Sequence, residues 1–192
     1  MYLEPFVASL SVTILAEFGD KTQLAIVALA TRHDRLAVML GSLSAFALVD
    51  GLTIVMGEII ATLFPSDLLP IASGLVFIAM GLYFVVTRDY GEVVVKRGKV
   101  AFLSSFATIS AMELGDKTQL VLVALAARYQ AITEVFSGMM LGFLLLTAAA
   151  LLVGRALSER VSLRYLRIGS AVLFMAFGLL SIAGPVLGVG PL

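Results

Sequence analysis

Glu17-Phe18-Gly19-Asp20-Lys21-Thr22-Gln23 and Glu113-Leu114-Gly115-Asp116-Lys117-Thr118-Gln119 are near-copies of one seven-residue string. Each copy carries two carboxylates, an ammonium, a hydroxyl and an amide into a stretch otherwise apolar enough to cross a membrane. An ionised side chain at the bilayer centre costs at least ~2.5–3.5 kcal/mol, so such acids face a protein interior or an aqueous cavity and mark a path for ions or protons. On an unbroken helix, Glu and Asp three apart share one face with the Lys that follows the Glu by four, in the favourable Glu-before-Lys order. Gly19 and Gly115, between the acids, are the positions where the helix could loosen and release carbonyl oxygens toward a ligand, as discontinuous transporter helices do. Thr22, Gln23, Thr118 and Gln119 add neutral oxygens, and Ser9 and Thr13 extend the polar stripe back from Glu17. Two such helices converging near the midplane would enclose Glu17, Asp20, Glu113 and Asp116 in a cage of oxygen ligands. Oxygen-only donor sets suit Mg²⁺, Ca²⁺ and Mn²⁺, whereas zinc and copper sites recruit imidazole or sulfur. The chain has no cysteine, and its one histidine, His33, falls in a loop.

The elements that must position these residues follow from composition. With 60% hydrophobic and 14% charged residues and a mean hydropathy of +1.07, the chain has too little polar surface for a soluble globule of 192 residues. A spanning helix needs ~20 predominantly apolar residues. Runs of that length lie near 6–31, 36–62, 68–87, 101–127, 132–154 and 168–190. The expected fold is therefore an all-α membrane protein of six transmembrane helices. The first run lacks a basic region before it and carries the first charged motif, so it reads as a retained span and not as a signal peptide. No disulfide framework is possible, and a net charge of zero without charge runs gives no sign of a nucleic-acid partner.

Glu17 and Glu113 lie 96 positions apart, half the chain, and the match continues through Leu24/Leu120, Val27/Val123, Ala28/Ala124 and Arg32/Arg128. With a one-residue slip, Gly41 matches Gly138, Gly57 matches Gly154 and Gly81 matches Gly178. Residues 1–87 and 101–192 then form two three-helix repeats joined by a connector at 88–100. Three spans per repeat make the second copy enter from the opposite side, an inverted repeat with its axis in the membrane plane. Ten Lys and Arg, including Arg88, Lys96, Arg97, Lys99, Arg155, Arg160, Arg164 and Arg167, fall on one side by loop parity and only Arg128 on the other. The positive-inside rule puts the ten in the cytoplasm and both termini outside.

Asp50 lies mid-span opposite its repeat partner Thr147, as either a proton site or a hydrogen-bonded packing residue. Gly138 with Gly142, and Gly41 with Ala45, form small-xxx-small patterns that report close helix packing. Matched intramembrane acids without a P-loop point to a secondary antiporter. A passive cation channel would also use acidic rings, but the motif lysines would repel its ions. A membrane hydrolase lacks any Ser-His, Cys-His or zinc motif, and an exporter of amino acids or other small solutes is the alternative among transporters.

Glu-x-Gly-Asp-Lys-Thr occurring once per half resembles the signature of the cation/proton exchanger family that includes the Golgi and thylakoid manganese and calcium transporters and bacterial manganese exporters. The resemblance covers essentially the whole chain. It implies transport of Mn²⁺ and/or Ca²⁺ against protons, no enzymatic activity, no resident cofactor, and Glu17, Asp20, Glu113 and Asp116 as the metal site, supported by Lys21, Thr22, Gln23, Lys117, Thr118 and Gln119. The length is similar to that of compact bacterial members, which implies a multi-pass protein of the bacterial cytoplasmic membrane exporting Mn²⁺. A homo-oligomer is compatible with the sequence.

Overall fold

The computed structural model describes residues 3–65, 68–86, 100–160 and 163–186. Eight helices are present among them: α1 (Leu3–Glu17), α2 (Lys21–Ala30), α3 (Arg35–Leu63), α4 (Leu69–Val86), α5 (Ala101–Glu113), α6 (Lys117–Tyr129), α7 (Ile132–Arg160) and α8 (Leu163–Val186). The described residues contain no strand. The six expected spans are thus corrected at two places, since the first is split into α1 and α2 and the fourth into α5 and α6, each at the repeated motif. Among the described residues two helices are long and apolar enough to cross a membrane, Arg35–Leu63 and the stretch Ile132–Leu152 of α7. Most of the connector, residues 88–99, lies outside the described residues, as do the side chains of Arg155, Arg160, Arg164 and Arg167.

α3 shows why this core forms. Gly41, Ser42, Ala45, Phe46, Val49, Asp50, Thr53, Ile54 and Gly57, spaced at three or four, are buried or nearly so. Leu36, Leu40, Leu48, Leu52, Met56 and Ile59 lie on its other side and are between 49% and 59% exposed. A broad apolar face left uncovered on a helix this long is unusual for a water-soluble protein. It fits a helix that meets lipid with one side and protein with the other.

The small residues set the packing partners. A Cβ added at Gly41 would lie 2.5 Å from the Phe102 carbonyl oxygen, and one at Gly57 would lie 2.9 Å from Val123 and Ala126. α3 therefore runs alongside α5 and then α6 in the same direction. Likewise a Cβ at Gly138 would clash with the Phe6 carbonyl oxygen, and one at Gly142 would meet Thr13 at 3.0 Å, so α7 runs parallel to α1. Gly74 abuts Gly178, and Gly81 abuts Ala171 and Met175, so α4 and α8 run antiparallel. Both small-xxx-small patterns thus mark backbone-to-backbone contacts, as expected. Each half supplies the helix against which the other half's broken span packs. Phe46 and Phe143, which occupy matching positions in the two halves, stack on each other with ring centroids 3.7 Å apart. Matching Phe77 and Phe174 also meet, at 6.2 Å.

A candidate cation site at two helix breaks

The breaks are built identically and from sequence. In the second half Leu114 has φ −61° and ψ 115°, Gly115 has φ 79°, and the Asp116 amide donates to the Glu113 carbonyl at 3.0 Å. These are the marks of a type II turn, whose third residue needs positive φ and so favours glycine. Gly19 repeats it with φ 75°, and the Asp20 amide donates to the Glu17 carbonyl at 3.1 Å. Glu17 and Glu113 each end one helix, while Asp20 and Asp116 take the N-cap positions of α2 and α6. The expectation that Glu, Asp and Lys share one face of a continuous helix is therefore corrected: the turn lies between the acids.

Neither aspartate spends its carboxylate on capping. Three residues on, Gln23 Oε1 accepts from the Gly19 amide at 2.8 Å and Gln119 Oε1 from the Gly115 amide at 3.0 Å. This is a variant of the capping box, in which the side chain at N3 reaches back to an orphan donor. The glutamine holds the turn and leaves the aspartate carboxylate to pair with the other half's lysine. Asp-x-x-Gln behind a glycine is a helix-start signal readable in the sequence, and it locates both breaks.

Across the breaks the halves exchange partners. Thr22 Oγ1 donates to Glu113 Oε1 at 2.8 Å, and Thr118 Oγ1 donates to Glu17 Oε1. Lys21 Nζ lies 3.0 Å from Asp116, and Lys117 Nζ lies 2.6 Å from Asp20. Carboxylate oxygens of Glu17, Asp20 and Asp116 come within 4.8 Å of one another. Glu113 stands apart from this trio on Thr22. It is fully buried, and its Oε2 has no hydrogen-bond partner among the described residues. The two lysines differ in depth: Lys117 is 11% exposed and reaches Asp116 at 3.3 Å and Glu17 at 3.8 Å as well as Asp20, while Lys21 is 33% exposed and pairs with Asp116.

Asp50 is fully buried on α3, with neither carboxylate oxygen partnered among the described residues, and Thr147 in the matching position of α7 is likewise buried and unpartnered. Asp50 stands within electrostatic reach of Glu17, Asp116 and Glu113. Thr53, one turn on, was not foreseen from the sequence: it accepts from Gln119 Nε2 at 3.1 Å and so ties the second break to α3. Its counterpart at the first break is Ala150, which has no hydroxyl. Of the polar extension behind Glu17, Ser9 donates to the Val135 carbonyl at 2.7 Å and braces α1 on α7, whereas Thr13 Oγ1 is buried without a partner among the described residues.

Gly115 gives a direct test of the turn. A Cβ there would meet no atom within 4 Å, so Gly115→Ala carries only the backbone cost of the left-handed region, about 1–2 kcal/mol. Thermal unfolding in detergent should fall accordingly, with Gly115→Asn tolerated better than Gly115→Ala. Equal stability of all three would mean that the turn is not required.

Carboxylate and hydroxyl oxygens gathered where two helices break, on a bundle with broad exposed apolar faces, fit the class of helical membrane transporters. A family model described as "Divalent cation/proton antiporter GDT1" matches residues 5–92 and 101–186. The chain belongs to this family, whose members are integral membrane antiporters and not enzymes. It is 31% identical over 179 residues to a Vibrio cholerae protein named "Putative manganese exporter", covering 89% of this chain and 86% of that protein. An Arabidopsis thaliana GDT1-like protein is 27% identical, with 96% of this chain and 97% of the relative covered, and a Synechocystis GDT1-like protein is 27% identical over 93% and 97%. No solved structure matches.

Proposed function

We propose that this chain exchanges Mn²⁺ and/or Ca²⁺ for protons and exports Mn²⁺ across a bacterial cytoplasmic membrane. The observation that carries the reading is the trio Glu17, Asp20 and Asp116, three carboxylates within 4.8 Å of one another. The Thr118 hydroxyl bonds Glu17, and the motifs contain neither cysteine nor histidine. Such a set suits a hard divalent cation that has shed part of its water. Glu113 is the fourth acid of the site. In the opposite-facing form it takes the position Glu17 has here, since the two are exchange partners on Thr22 and Thr118. Asp50, buried beside the trio, is the candidate proton carrier apart from the metal oxygens. The manganese preference rests on the Vibrio relative and the direction on the inward proton gradient of a bacterial membrane.

The parallel runs of α3 with α5–α6 and of α7 with α1 support an inverted arrangement of two three-helix repeats, 1–87 and 101–192. If successive spans alternate in direction, those parallel pairs require the two broken spans to point oppositely. Stacking of matching Phe46 and Phe143 is what an exchange axis between the halves would produce. With the basic loops in the cytoplasm, both termini are outside. Single cysteines placed at 88–99 should then react with an impermeant maleimide only from the cytoplasmic side; labelling from outside would reverse the orientation.

The decisive experiment is uptake of Mn²⁺, Ca²⁺, Mg²⁺ and Zn²⁺, one at a time, into inside-out vesicles or proteoliposomes with an imposed pH gradient. Mn²⁺ or Ca²⁺ accumulation that requires the gradient and is accompanied by counter-flow of protons is expected. Transport indifferent to the pH gradient would indicate a passive channel and overturn the reading.

A further inference from the structure

The two motif lysines are alike in sequence and unlike in place. Lys117 Nζ lies 2.6 Å from Asp20, 3.3 Å from Asp116 and 3.8 Å from Glu17, so its ammonium touches every acid of the trio. The side chain is only 11% exposed. Lys21 reaches a single acid, Asp116, from the rim at 33% exposure. A divalent ion bound by oxygens at 2.0–2.6 Å needs the same centre of charge among these carboxylates. The ammonium and the metal cannot occupy it together.

The geometry points to Lys117 as a tethered cation that stands in the metal's place and must swing out for the metal to bind. This inference rests on the reading of Glu17, Asp20 and Asp116 as metal ligands. Three carboxylates packed this closely repel one another strongly in a low-dielectric site. An ammonium on a flexible four-carbon stem holds them together once the metal has gone, and its return drives release. Lys is suited to this because it is a compact point charge, whereas the planar fork of Arg would lock onto one carboxylate in bidentate geometry. The stem also lets the ammonium withdraw without moving the backbone of α6. The lysine sets affinity low enough for release, so removing it trades turnover for tightness.

The test is Mn²⁺ binding to detergent-purified protein, read from loss of the paramagnetic resonance signal of free Mn²⁺, for wild type, Lys117→Met, Lys117→Gln, Lys21→Met and Glu17→Gln. Lys117→Met and Lys117→Gln should bind at least about tenfold more tightly, the modest end of what one unit charge removed from ~4 Å is worth. In proteoliposomes both should show a lowered KM together with a lowered kcat. Unchanged or weaker Mn²⁺ binding by both folded variants overturns the inference. Equal tightening by Lys21→Met also overturns it, because the effect would then be charge spread over the whole site and not an ion in the metal's place. Indifference of binding to Glu17→Gln would bring down the metal-site reading itself, and the inference with it. Should the Lys117 variants not fold, reductive methylation of the wild type decides: Mn²⁺ should raise modification of Lys117, and protection by Mn²⁺ overturns the proposal.

Discussion

Glu17→Gln is expected to abolish metal transport while leaving folded protein in the membrane. Glu17 is fully buried at the end of α1 and is the acid that accepts from Thr118. Replacing it with an isosteric amide keeps the hydrogen bond from Thr118 and removes both the charge and one metal oxygen. Partners one shell removed from a metal typically cost 10–100-fold when lost, so a direct ligand should cost more than about a hundredfold in transport rate. Asp20→Asn and Asp116→Asn should do the same. Each also breaks a lysine contact, so protein yield and thermal stability must be measured alongside flux. Near wild-type flux from any two of these variants would sink the carboxylate site.

Transport should exchange about two protons for each divalent ion and respond weakly to membrane potential. Four motif carboxylates against two ammonium groups leave two negative charges. One divalent cation neutralises them, and so do two protons. Metal and protons compete for the same oxygens, and metal binding releases protons where ligands must be deprotonated. Affinity for Mn²⁺ should therefore fall as pH falls, by up to about a hundredfold per pH unit where both protons are exchanged. Parallel measurement of Mn²⁺ and proton flux in proteoliposomes under a clamped potential checks this. Strong voltage dependence that persists in Asp50→Asn would show that the neutral-site argument is wrong, whereas dependence lost in that variant would make Asp50 the carrier of a further proton.

Much of this was legible in the residues. The doubled motif named the acids, the glycine spacing named the close helix contacts, and Gly19 and Gly115 marked where the helices loosen. Less legible was the pairing. The i, i+4 rule assigns Lys21 to Glu17 because it assumes a continuous helix, and the type II turn removes that assumption, sending Lys21 to Asp116 and Lys117 to Asp20. The capping role of Gln23 and Gln119 was written in Asp-x-x-Gln, but an apolar run long enough to span a membrane hides a helix start within it. The unequal depth of the two lysines had no local signal at all, since the two motifs differ only at Phe18 and Leu114. It arises from what surrounds them, of which Thr53 against Ala150 is one difference.

The exchange of partners between halves also bears on how the protein is made. Lys117 is synthesised 97 residues after Asp20, so at ~5–20 residues per second roughly 5–20 s pass before that ammonium exists. During that interval the nascent first half holds Glu17, Asp20 and Asp50 without Lys117 or α7. Carboxylates in that position are expensive to commit to lipid. The first broken span is thus best kept in the insertion machinery, or in water, until its counterpart emerges. A chain halted within the connector would keep Glu17, Asp20 and Asp50 while lacking Lys117 and the whole of α7.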